Sequence, residues 1–78
     1  MTIRIAAIEW VDSTTTRGWK QPSDLGPQTI YSVGILVSEH KDYVVITSSV
    51  GIDEGSDVID QLSIPRGCIK KMRKMKKL

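Results

Sequence analysis

The residues best equipped for chemistry form one run, Ser13-Thr14-Thr15-Thr16-Arg17-Gly18-Trp19. Four consecutive hydroxyls can donate and accept hydrogen bonds, and the planar guanidinium of Arg17 offers five donors suited to phosphate. Gly18 permits close backbone approach, and Trp19 gives a flat surface on which a base can stack, worth about 1–3 kcal/mol. These groups suit a small anionic ligand that carries an aromatic ring. The competing reading is structural: Trp19 caps the open end of a barrel, Arg17 is solvated, and the hydroxyls satisfy turn backbone.

Residues arranged for catalysis are missing from the sequence. The single histidine, His40, falls in the charged run Glu39-His40-Lys41-Asp42 and reads as a solvated turn residue. Cys68 has no CxxC partner, and one cysteine with one histidine cannot build a zinc site. Neither a glycine-rich phosphate loop, a G-x-S-x-G elbow nor an H-E-x-x-H helix occurs. Asp53, Glu54, Asp57 and Asp60 cluster without the ligand spacing of a calcium loop and read as solvated turn residues. The expectation is a binding protein that works without metal or cofactor, not an enzyme.

The elements that must hold the Ser/Thr run are short strands. Residues 30–37 place Tyr31, Val33, Ile35 and Val37 on one face and Ser32, Gly34, Leu36 and Ser38 on the other. A four-residue polar break of hairpin length follows. Residues 43–50 are dense in β-branched side chains and predict a second strand, and residues 58–64 a third, after a turn at 51–57. Residues 3–11 predict an earlier strand whose apolar residues fall on both parities, as expected of a strand covered on both faces. Between it and residue 30 lie eighteen residues of loop chemistry, 12–29, interrupted by Pro22 and Pro27. A loop this long in so small a domain is functional or disordered, and Trp19 argues for order.

After Pro65, which should end or bulge the third strand, two readings compete. Ile69, Met72, Met75 and Leu78 recur every third residue, close to helical spacing. Alternatively, residues 68–72 form a closing strand followed by a disordered tail.

At 78 residues the chain is one domain, read as residues 1–72 with a basic tail at 73–78. A chain this short buries only about 60–65% of its unfolded surface. A closed sheet or an oligomer is the expected way to manage its edges. One cysteine excludes an internal disulfide and fits a reducing cytoplasm. No apolar run approaches ~18 residues, and the first residues lack a signal-peptide layout, so a soluble cytoplasmic protein away from membranes is expected. Charge is unevenly divided. Residues 1–60 hold nine acids against four bases, a formal −5, whereas residues 61–78 hold seven bases and no acid, +7. Such asymmetry points to an anionic partner for the tail, or to docking of the tail on an acidic neighbour.

The run VGILVSEHKDYVVITSS and the ending IPRGCIKKM resemble the strands of an Sm-like or SH3-like small barrel, with a glycine in a bent strand (Gly34) and Ile-Pro before a final short strand. The combination of EWVDS, GW, VG, DYVVI and IPRGCIKKM over residues 9–72 is also similar to a group of small phage proteins, which look like the anti-CBASS sponges that sequester cyclic-nucleotide signals of bacterial defence. This resemblance implies an all-β open barrel of about five antiparallel strands that assembles as a homo-oligomer, a tetramer or similar. It implies a site of Ser13, Thr14, Thr15, Arg17 and Trp19, with Arg66 and Lys70 on the phosphates of a cyclic dinucleotide bound without cleavage. The alternatives are an Sm-like RNA-binding module using the basic tail, and an adaptor that offers a strand edge or the tail to a protein.

Overall fold

A computed structural model of the chain describes residues 3–13, 19 and 26–75. The long central strand sets the architecture. Gln28–Glu39 (β2) pairs along its first half with Ile5–Asp12 (β1) and along its second half with Tyr43–Thr47 (β3), antiparallel on both sides. To do both it must bend, and two features allow this. Gly34 lies against β3, where a Cβ would come within 2.9 Å of the Thr47 carbonyl oxygen and 3.3 Å of the Ile46 side chain. A bulge at Val37, between the paired residues Leu36 and Ser38, adds twist.

Beyond β3 the chain makes a small separate hairpin, Ser49–Val50 (β4) with Val58–Ile59 (β5). The second and third expected strands are therefore each broken. Residues 43–50 divide at Ser48, and residues 58–64 divide at Asp60, whose φ of 54° turns the backbone. Asp is among the few side chains that tolerate that left-handed conformation. Leu62–Pro65 (β6) then pairs with β3, a 3-10 turn follows at Arg66–Cys68, and Ile69–Lys74 (β7) returns to pair with β1.

The five-stranded antiparallel sheet has the order β6-β3-β2-β1-β7. Its edge strands do not pair with each other, so the sheet is bent over but open. The chain is all-β with five antiparallel strands, as expected of a small open β domain, and the sheet is not closed into a barrel. The C-terminal stretch settles as a strand, and it runs through Arg73 and Lys74, past the expected domain limit at residue 72. Helical spacing misled for a definite reason. Trp10 pairs with Ile69 and Ile8 with Met72, so three residues of β1 oppose four of β7, with Lys70 as the extra one in a bulge. That insertion puts Ile69 and Met72, three apart, on one face.

The concave side holds the core: Ala6, Ile8 and Trp10 from β1, Val44 and Ile46 from β3, and Ile64 from β6. Ile30, Leu36, Cys68, Ile69 and Met72 pack around them. Trp10 donates its indole N–H to Ser32 Oγ at 3.0 Å, which satisfies the polar end of a nearly buried ring. Over residues 5–11 β1 alternates cleanly, with Ala6, Ile8 and Trp10 buried and the odd residues only half-covered, so it is not buried equally on both faces. β2 inverts the intuitive assignment. Its small face (Ser32, Gly34) points inward, and Tyr31 and Val33 stand outside, each 64% exposed. The bent strand needs small residues inside because β3 lies directly over them.

Candidate ligand-binding site

β1 delivers the Ser/Thr run. Asp12 pairs with Gln28 at the last rung of the β1–β2 ladder, and Ser13 follows, its backbone N–H bonded to Asp12 Oδ1 at 2.9 Å. Ser13 is exposed. Thr14, Thr15 and Arg17 lie outside the described residues. Trp19 is fully exposed, so it is not the barrel cap that the structural reading allowed.

The basic partners approach the same end of β1. Register places Ile69 opposite Trp10, which brings the 3-10 turn and the start of β7 beside the last residues of β1. Lys70 occupies the bulge there. It is exposed, and among the described residues it makes no ion pair. A bulge re-aims its extra side chain, which leaves Lys70 available to an anion.

Arg66 is differently placed. Its Nε donates to the His40 carbonyl at 3.1 Å, and its Nη2 lies 3.4 Å from Glu39 Oε1. Lys74 Nζ reaches the same carboxylate at 3.1 Å. Glu39, at the end of β2, thus joins the 3-10 turn after one edge strand to the end of the other. The Lys74 hydrogen bond foremost, with Arg66 beside it, holds the Glu39 carboxyl below its ordinary value against a smaller upward push from desolvation. Arg66 is therefore engaged within the protein, and of the two expected phosphate partners Lys70 is the free one.

No family model matches this chain, and neither a curated protein nor a solved structure resembles it significantly. The site has to be read from its own geometry.

Several features were not picked out as site elements by residue type alone. The Glu39 clasp joins residues 27 and 35 positions apart, which only the bent sheet brings together. His40 stacks on Tyr43, ring centroids 4.3 Å apart, and its Nε2 lies 2.9 Å from Ser38 Oγ, so the exposed turn is ordered by local contacts. Tyr31 and Arg73 share the outer face, and only the β1–β2 and β1–β7 registers bring them near each other. Among the described residues no group of three His, Cys, Asp or Glu could hold a metal, and no helix is long and apolar enough to cross a membrane.

Proposed function

We propose that this protein is a non-catalytic binding protein that captures a cyclic-nucleotide signal as a homo-oligomer. One observation carries the reading. The β1–β7 register sets the free cation Lys70 beside the strand end from which the hydroxyl-rich run with Arg17 and Trp19 departs. Lys70 and Arg17 take the phosphates, and the exposed Trp19 ring takes a base. The ligand is held without being cleaved, as in a binding protein. The two open sheet edges supply surfaces through which copies can associate.

Native mass spectrometry of the full chain, with and without a panel of cyclic dinucleotides and a short RNA, tests this. A defined oligomer should gain whole numbers of intact dinucleotide. Trp19→Ala and Lys70→Ala should each weaken that binding at least about tenfold. Removing residues 76–78, beyond the end of β7, should leave it unchanged. An oligomer that ignores dinucleotides and retains RNA, with a steep salt slope, would instead establish the RNA-binding reading, which the exposed bases of β7 favour.

A further inference from the structure

The convex face of β7-β1-β2 is organised in three cross-strand rows. Tyr31, Glu9 and Lys71 form one, Val33, Ala7 and Arg73 the next, and Ile35 and Ile5 the third, where Met75 bonds its backbone N–H to the Ile5 carbonyl. The centre of this grid is an alanine. Larger side chains around it leave a groove of about 460 Å³, lined by Ala7, Tyr31, Arg73, Lys74 and Met75. That volume is in the range of small-ligand sites.

We infer that this groove is a second binding subsite, for a nucleotide unit, with the base against Tyr31 and Met75 and its phosphate on Arg73. Tyr31 on β2 and Met75 just after β7 are 64% and 59% exposed, a large investment of apolar surface in water. The cations are unequal. Lys71 stands across the ladder from the Glu9 carboxylate, which offsets its charge, whereas Arg73 stands across from Ala7. Among the described residues Arg73 makes no ion pair. It is the uncompensated charge of the groove, and its forked guanidinium matches a phosphate. Glu9 repels a second phosphate near Tyr31 and can accept a hydrogen bond from an exocyclic amine, so the groove suits one phosphate and an amino-bearing base. A second copy of this chain is the poorer occupant, because the charged side chains of Glu9, Lys71, Arg73 and Lys74 interrupt the apolar surface.

The subsite is distinct from the Lys70 and Trp19 site, and its test separates the two. The full chain is titrated with adenosine monophosphate and with single-stranded oligoadenylate, following amide NMR shifts. Resonances of Tyr31, Ala7 and Arg73 should move. Tyr31→Ala and Arg73→Gln should each weaken binding at least about tenfold. Tyr31→Phe, which keeps the ring, should retain the binding, and Glu54→Gln, in the exposed turn between β4 and β5, should leave it unchanged. Binding of the mononucleotide as well as the strand supports a free nucleotide as ligand, and binding of the strand alone supports the same unit within RNA. Shifts confined to Lys70 and its neighbours would overturn the subsite, as would binding indifferent to Tyr31→Ala. A dimer abolished by Tyr31→Ala, with no nucleotide effect, would also overturn it and assign the face to self-association.

Discussion

Glu39 shows how much can rest on one exposed side chain. Each of its bridges, to Lys74 and to Arg66, is of the surface kind, worth about 0.2–1 kcal/mol. They join the two edges of an open sheet, so together they resist its unrolling. Because the folded carboxyl titrates below its unfolded value, this stabilisation is fully present above the ordinary glutamate range and is lost as pH falls through the folded value. Glu39→Gln should lower stability by about 1 kcal/mol near neutral pH in urea unfolding. The gap between variant and parent should close as pH falls through the lowered folded value, below which both are neutral at this position. A gap that persists in acid would show that shape, not charge, matters at residue 39. The charged run placed Glu39 in a solvated turn, and the resemblance placed Arg66 on a ligand phosphate. Ion pairs between distant positions are invisible until register is known.

Among the elements, β2 and β7 carry the most information. β2 can serve two neighbours only because Gly34 lets β3 lie against its backbone. Gly34→Ala would force the Thr47 carbonyl or the Ile46 side chain to shift, and should cost about 1–3 kcal/mol. Urea unfolding gives the cost, and amide chemical shifts of residues 44–47 against those of 49–58 locate it. Thr47 shows how the β4–β5 hairpin is attached: its hydroxyl donates to the Ile59 carbonyl and accepts from the Ser49 N–H at 3.5 Å. In β7 the bulge at Lys70 does two things at once. It turns a three-residue apolar spacing into a single inward face, and it presents a lysine at the end of β1. The strand itself was legible as one of two readings. The choice between them was not, because a bulged strand and one turn of helix share the same spacing.

For the whole molecule, the buried apolar core among the described residues is six side chains, and a domain of this size is held by only about 4–12 kcal/mol. Ile64, fully buried at the centre of β6, is a severe test: Ile64→Ala should cost about 2–5 kcal/mol, and a circular dichroism melt should show the largest loss of any substitution named here. The sequence alone determined that the protein is a small all-β domain, because β-branched alternation and glycine-containing turns are local properties of the chain. It also determined the charge asymmetry and the chemistry of residues 13–19, since both are matters of composition. Tertiary structure decided what faces what. It turned Tyr31 and Val33 outward, committed Arg66 to Glu39, freed Lys70 and set Arg73 beside a groove. Each of these depends on register across strands far apart in sequence and on the bend at Gly34, and a period of two identifies the two faces of a strand without saying which one the rest of the chain will cover.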